Sequence, residues 1–253
     1  MSGHSHWAGI KHKKAAVDAK RGKLFSKLAK NIISAARSGG GDPAMNLTLK
    51  YAIDAAKAAN MPKDNIERAI RRGTGEGGGH SIEELVYEGY GPGGVAILVE
   101  VLTDNRNRTG TELKTLFHKR GGNLGATGSV AWKFDRKASF TVPTAAVDED
   151  TLMALVLEAG GDDLERYDEV YEITADPVAF DGIRTALEVA NLPIESSEVT
   201  RVANATVEIT EPTTARKVLA LMEAIEDHDD VKQAYADFDI ADDVLQAAES
   251  LED

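Results

Sequence analysis

The run Gly73–Gly79, GTGEGGG, cuts the sequence into two stretches that obey different periodicities, and this limits the fold more than any other feature. A glycine-rich segment of this kind is a flexible joint with no core of its own. Before it, apolar residues recur at helical spacing. Leu24, Phe25, Leu28, Ile32 and Ile33 form one stripe, and Gly39, Gly40 and Gly41 end it. Asp42 as N-cap and Pro43 as first helical residue predict a second helix, with Leu47, Tyr51, Ala55 and Ala58 on its buried side. Asn60 stops it. Pro62 opens a third helix carrying Ile66, Ala69 and Ile70, which Gly73 ends. Residues 1–17 show little periodicity and read as an arm ahead of a three-helix unit.

After the glycine run, short strand patterns alternate with helical ones. Val95–Leu102 is continuously apolar except for Glu100 and reads as a buried strand. A helix follows over Thr109–Arg120, then alternating SVAWKF at Ser129–Phe134 as a strand. Next come a strand near Ala138–Val142, a helix Glu149–Ala159, a strand pair across Leu164–Ile173, a helix Pro177–Ala190 and a strand near Glu195–Val202. This middle set reads β-α-β-β-α-β, a ferredoxin-like unit. Strand Thr206–Ile209, helix Thr213–Glu226 and strand Val231–Phe238 close the pattern, and the acidic stretch after Ala241 reads as a short terminal helix or disorder. The expected class is α+β: an N-terminal three-helix domain followed by two ferredoxin-like α/β sandwich domains, one inserted in the other. The expected boundaries are 1–76 for the basic helical domain with its arm, 80–135 plus 204–240 for one α+β domain, and 136–203 for the inserted one.

Charge divides at the same joint. The chain of 253 residues has a formal net charge of −13, which argues against a polyanion partner until its distribution is seen. Residues 1–72 hold 15 Lys+Arg against 5 Asp+Glu, a balance of +10; the rest hold 14 against 37, a balance of −23. Asymmetry on this scale points to polyanion binding at one end. There are no cysteines, so disulfides and thiolate metal sites are excluded. No apolar run is long enough to span a bilayer, and the N-terminus lacks the apolar core of a secretory signal, so a cytoplasmic location is expected.

The candidate contacts are Lys11, Lys13, Lys14, Lys20, Arg21, Lys23, Lys27, Lys30 and Arg37. Lys20, Lys23, Lys27 and Lys30 are spaced by three or four and share a helix face, where like charges repel unless a polyanion screens them. Phosphate backbones do this with sequence-independent affinity. Trp7, on the basic arm, either stacks on an unpaired base or packs onto the domain. Arg71 and Arg72 either extend the surface or complement the dipole of their helix. The acidic remainder repels nucleic acid from the other domains, supplies solubility or docks basic proteins.

Motifs for catalysis are missing. Gly73, Gly75 and Gly78 fit G-x-G-x-x-G but follow a helix instead of a strand, which rules out the dinucleotide reading. His228 with Asp229 and Asp230 resembles a metal pair without a second histidine cluster, and reads as a turn before the last strand. No catalytic residues, metal ligands or cofactor are assigned, and neither a membrane nor a small-molecule substrate is expected.

Four stretches carry a resemblance: GHSHWAGIKHKKAAVDAKRGKLFSKL at 3–28, NMPKDNIERAIRRGTGE at 60–76, YEGYGPGGVAILVEVLTDNRNRT at 87–109 and GGNLGATGSVAWKF at 121–134. With them the chain resembles the YebC/PmpR family, which includes the mitochondrial translational activator of cytochrome oxidase. The resemblance implies a three-domain cytoplasmic factor of the class named probable transcriptional regulatory protein, with DNA-binding activity. Some members resemble translation factors that act at the ribosome, including on stalled proline-rich synthesis. His6 departs from the lysine usual in the family's motif, which lowers the arm's charge by one near neutral pH. The glycine-rich segment Tyr87–Gly94 reads as a loop. Arg106 and Arg108, at the start of the helix after the apolar strand, are a second candidate phosphate contact beside the simpler reading of a capped turn. The expected function is therefore a nucleic-acid-binding regulator of gene expression that binds DNA and acts in transcription. The alternative is an RNA- or ribosome-associated translation factor that relieves stalling or activates translation.

Overall fold

The computed structural model describes residues 21–76, 82–167 and 169–251, Arg21 by its backbone alone. The described chain is α+β: three helices, then two four-stranded antiparallel sheets with their helices. It separates into two compact units. One is Trp132–Thr206. The other joins the residues up to Ala131 with Val207 onward.

The second of these units begins with α1 (Arg21–Gly39), α2 (Leu47–Ala58) and α3 (Lys63–Gly73). Ile32, Ile33, Ala35 and Ala36 of α1 pack with Leu49, Ile53, Ala56, Met61, Ile66 and Ala69. The α1 stripe is as the spacing predicts at its C-terminal end, whereas Leu24 is 44% exposed. Helix α2 starts later than the Asp42–Pro43 signal suggests and buries a different face. Its N-cap is Asn46, whose Oδ1 accepts from Leu49 N at 3.0 Å and whose Nδ2 donates to the carbonyls of Ala35 and Gly40, each at 2.8 Å. Asp42 accepts from Ala44 N at 2.9 Å and holds only the turn before it. With the start shifted, Leu49, Ile53 and Ala56 go inside and Leu47, Ala55 and Ala58 stay exposed. Both sets fit helical spacing. The one with Ile53 beside Leu49 buries more branched aliphatic surface. Asn60, at φ 59, makes the left-handed stop.

The same unit carries the sheet β3-β1-β2-β9, built from β1 (Glu83–Tyr90), β2 (Ala96–Thr103), β3 (Asn123–Leu124) and β9 (Val231–Ala236). Its helices are α4 (Arg106–Lys119) and α7 (Pro212–Glu226). Central β2 is buried along nearly its whole length, as its apolar run requires. The segment expected as loop from Tyr87 is instead strand as far as Tyr90, paired antiparallel with β2 from Glu83↔Thr103 to Tyr90↔Ala96. The turn is confined to Gly91–Gly94, with Gly93 and Gly94 at positive φ. Gly89 within β1 is a packing requirement: a Cβ there would lie 2.6 Å from Phe117 Cε1 and 2.8 Å from the Asn123 carbonyl. The spatial order is that of a ferredoxin-like sheet, except that β1, the strand between β3 and β2, comes first in the chain and not third. Two further short strands, β8 (Val207–Glu208) and β10 (Phe238–Asp239), pair in parallel, and α8 (Asp242–Ser250) packs against α7.

The strand expected at Ser129–Phe134 does not form. Buried Glu88 on β1 accepts from the amides of Gly128 (2.6 Å), Val130 (2.7 Å) and Ala131 (2.8 Å). These N–H groups are therefore unavailable to a sheet ladder, and the segment runs as a turn and a short 3-10 helix, Ala131–Lys133.

The Trp132–Thr206 unit contains β4 (Phe134–Pro143), α5 (Glu149–Glu158), β5 (Gly161–Tyr167), β6 (Val170–Ala175), α6 (Phe180–Val189) and β7 (Ser196–Ala203). Its sheet order, β5-β6-β4-β7, with all neighbours antiparallel, is the ferredoxin-like arrangement. Phe140 on β4 and Phe180 at the start of α6 lie 4.8 Å apart, centroid to centroid, in its core. Among the described residues no helix is long and apolar enough to cross a membrane.

Candidate nucleic-acid interface

Over its described length the lysine face of α1 lies against the C-terminal end of α7 and the turn that follows, with Lys23 exposed and Lys27 and Lys30 half-buried. Lys23 Nζ donates to the Asp227 carbonyl at 3.4 Å, Lys27 Nζ to the Glu226 carbonyl, and Lys30 Nζ to the Asp229 carbonyl at 2.9 Å. Helix α7 has no basic residue in its last turn, so its carbonyl end lacks the usual cation of its own. Helix α1 supplies two at that end, Lys27 at Glu226 and Lys23 at the C-cap Asp227, and Lys30 continues onto the turn, all from about two hundred residues earlier in the chain.

The row ends at Asp230, only 4% exposed. Its carboxylate accepts from Lys30 (2.6 Å), Arg108 (2.7 Å), Thr109 (2.6 Å) and Thr103 (3.2 Å). Burial alone would raise its pKa; the hydrogen bonds from Lys30, Thr109 and Arg108 together override burial and hold the group well below the usual carboxylate range. Arg108 in turn is raised, first by its hydrogen bond to Asp230. It also meets Asp104 at 3.1 Å and Glu112 at 3.9 Å. Arg108, one of the two arginines read as a second phosphate contact, is thus shared among three carboxylates.

His228 completes the turn. Its Nδ1 accepts from the Asp230 amide at 3.1 Å and its Nε2 lies 3.0 Å from Glu112 Oε2. Glu112, His228 and Asp230 bring ligand atoms within 4.8 Å of one another, a spacing a metal ion would accept. The donor set does not suit one: both Asp230 oxygens are engaged by cations or hydroxyls, and the lone pair of Nδ1 is used by a backbone amide. The trio is a hydrogen-bonded tie.

Of the other residues singled out from the sequence, Trp7, Lys11, Lys13, Lys14 and Lys20 lie outside the described residues, as does the side chain of Arg21. Arg37 donates to the Ile82 carbonyl at 3.0 Å and so ties α1 to the start of β1. Arg106 is exposed at the first position of α4, behind an N-cap in which Asn105 Oδ1 accepts from Arg108 N at 3.1 Å. Its carbonyl accepts from Tyr87 Oη at 3.1 Å; burial raises the Tyr87 phenol and the charge of Arg106 partly offsets this.

Within the described part of the helical domain, an exposed cationic row remains on α3. Arg68, Arg71 and Arg72 are all exposed and, among the described residues, form no ion pair. Glu67, the acid nearest them in sequence, is paired with Lys63 at 3.6 Å. The i, i+3, i+4 spacing of the three arginines was available in the sequence. The docking of the α1 lysines was not, because their acceptors are the end of a distant helix, the turn after it and the carboxylate of Asp230.

Residues 5–76 match the TACO1/YebC protein N-terminal domain, and residues 82–238 match the TACO1/YebC second and third domain. The chain is 54% identical over 248 residues to a protein of Dictyoglomus turgidum named "Probable transcriptional regulatory protein", covering 98% of this chain and 99% of that one. It is 53% identical over 249 residues to a protein of the same name in Natranaerobius thermophilus, covering 97% and 99%. The crystal structure of a conserved hypothetical protein from Aquifex aeolicus superposes with a TM-score of 0.86 at 48% identity, over 95% of this chain and 99% of the other. With both parts of the pattern matched in order and relatives this similar along the whole length, the chain belongs to the TACO1/YebC family.

Proposed function

We propose that the chain regulates gene expression by binding nucleic acid through its N-terminal quarter, as a DNA-binding regulator of transcription in the cytoplasm, and that it works by binding instead of catalysis. One observation carries this reading: the +10 balance of residues 1–72 coincides with a helical domain that has its own core, while the −23 balance falls on the sheet-bearing remainder. A cationic module on an anionic body concentrates the attraction for a polyanion at one end. The names of the relatives support a regulator. Within the quarter, Lys11, Lys13, Lys14, Lys20 and Arg21 are the proposed phosphate contacts and Trp7 a proposed stacking residue. Arg106 remains a candidate for a second contact, whereas Arg108 is committed to Asp230.

The test compares binding of the full chain to a mixed-sequence DNA duplex with its cosedimentation with ribosomes, both at physiological salt. Abolition of duplex binding when Lys11, Lys13 and Lys14 become Ala supports the reading. Cosedimentation without duplex binding replaces DNA with ribosomal RNA as the target. Binding to neither refutes it.

A further inference from the structure

We propose that Arg68, Arg71 and Arg72 on the solvent face of α3 are the helical domain's docking row for the phosphodiester backbone, and that Lys23 and Lys27 are no part of that contact. This rests on the nucleic-acid reading above and assigns its surface within the helical domain. The two cationic rows differ in what they already hold. The α1 row has acceptors in its own chain, the carbonyls of Glu226, Asp227 and Asp229 and the carboxylate of Asp230. A phosphate would have to displace them. The α3 row has none among the described residues, although Asp64 and Glu67 lie one turn before Arg68 and Arg71.

The ordinary task of cations at a helix end is also taken. The last carbonyls of α3 are satisfied locally: Ile70 O by Thr74 N (3.0 Å), Arg71 O by Glu76 N (3.0 Å) and Thr74 Oγ1 (3.1 Å), and Arg72 O by Gly75 N (3.3 Å). The guanidinium groups are not needed as caps. Three like charges within about one turn repel one another, at a few tenths of a kcal/mol per pair, and phosphate would relieve this.

The backbone beneath them is fixed. Ile66 and Ala69 are buried, and a Cβ at Gly73 would lie 2.6 Å from both Ala36 Cβ and the Ile33 carbonyl, so the end of α3 is seated directly on α1. Residues three and four apart on a helix have Cβ atoms about 5–6 Å apart, and guanidinium offers phosphate a planar pair of donors. Such contacts fix position without reading bases, so DNA and RNA backbones are both acceptable in chemistry and must be separated by experiment.

The full chain is titrated by fluorescence anisotropy against a labelled mixed-sequence DNA duplex and against a labelled single-stranded RNA over a range of salt. For the triple variant Arg68→Ala, Arg71→Ala, Arg72→Ala, the slope of log K against log salt becomes shallower by about 0.7–0.9 for each phosphate no longer neutralised, about 2–3 in all, with the thermal midpoint not lowered. The probe that shows the change identifies the backbone bound. The variant Lys23→Gln, Lys27→Gln, which leaves the Lys30–Asp230 pair in place, keeps the parent slope. If the arginine variant keeps the parent slope on both probes while the parent binds, the assignment to α3 is wrong and the nucleic-acid reading stands. If the lysine variant flattens the slope as much as the arginine variant, the distinction between the rows is wrong. If the parent binds neither probe with salt dependence, both the reading and this assignment fall.

Discussion

Replacing Asp230 by Asn keeps the volume of the side chain and removes its charge, which isolates the junction between the helical domain and the sheet of its unit. In the native chain one buried carboxylate collects hydrogen bonds from Lys30, Arg108, Thr109 and Thr103. Hydrogen bonds to a charged group contribute about 1.5–3 kcal/mol each, and truncating one member of a buried ion pair costs about 3–5 kcal/mol. The loss here falls at the low end. Lys30 and Arg108 are 23% and 43% exposed and can turn to water, and the Thr103 and Thr109 oxygens lie 2.8 Å apart, so one hydroxyl can donate to the other in place of the carboxylate. The expected destabilisation is about 3 kcal/mol, or ~6–12 °C in thermal midpoint at ~2–4 °C per kcal/mol. pH supplies the control. Because the folded pKa of Asp230 is depressed, its contribution is complete above the unfolded value, about 3.9, and is lost as pH falls toward the folded value. The gap between parent and Asp230→Asn should therefore be flat near neutrality and narrow by about 1.4 kcal/mol per pH unit below about 4. Circular dichroism melts of both chains across that range measure it. A gap near zero at neutral pH, or one that stays constant into acid, would show that the carboxylate does not hold the junction.

Two further changes test the local assignments. Glu88→Gln places an amide donor among the N–H groups of Gly128, Val130 and Ala131; hydrogen exchange at those three amides should accelerate and stability should fall by about 2–3 kcal/mol, whereas unchanged exchange would refute the staple. Asn46→Ala removes the α2 cap and the two bonds to the Ala35 and Gly40 carbonyls, at a cost of about 1–2 kcal/mol, while Asp42→Ala costs under about 0.5 kcal/mol; denaturant melts with the opposite ranking would return the helix start to Asp42.

Periodicity gave away much of this fold because most of its elements are amphipathic on their own account. The run at Val95–Leu102 has one reading, a strand buried on both faces, and it became β2. The elements misread are those decided by partners elsewhere. The Glu83–Tyr90 strand mixes three glutamates with a glycine and two tyrosines and offers little alternation, yet it pairs with β2 along its full length. Val130 and Ala131 fall in a segment that alternates as a strand should, yet their amides go to Glu88, some forty residues away. Helix α2 had two faces of nearly equal merit, and Asn46 chose between them by reaching carbonyls at the end of α1.

The candidate interface repeats this pattern in electrostatic form. A row of lysines on one helix face must find negative charge, and that need is legible in the sequence while its source is not. A phosphate backbone is one source; the carbonyl end of a helix with no cation in its own last turn is another. The structure pairs α1 with α7 in this second way, and the tie continues through Lys30 and Asp230 to Arg108. The consequence is that counting cations overstates the surface available to a polyanion. On the proposed nucleic-acid reading, the cations that matter are those with no acceptor in the folded chain, and among the described residues of the helical domain the clearest such row is Arg68, Arg71 and Arg72. Binding should accordingly be more sensitive to three arginines on a short helix than to the longer lysine row that first draws attention, and the paired salt titrations measure that difference directly.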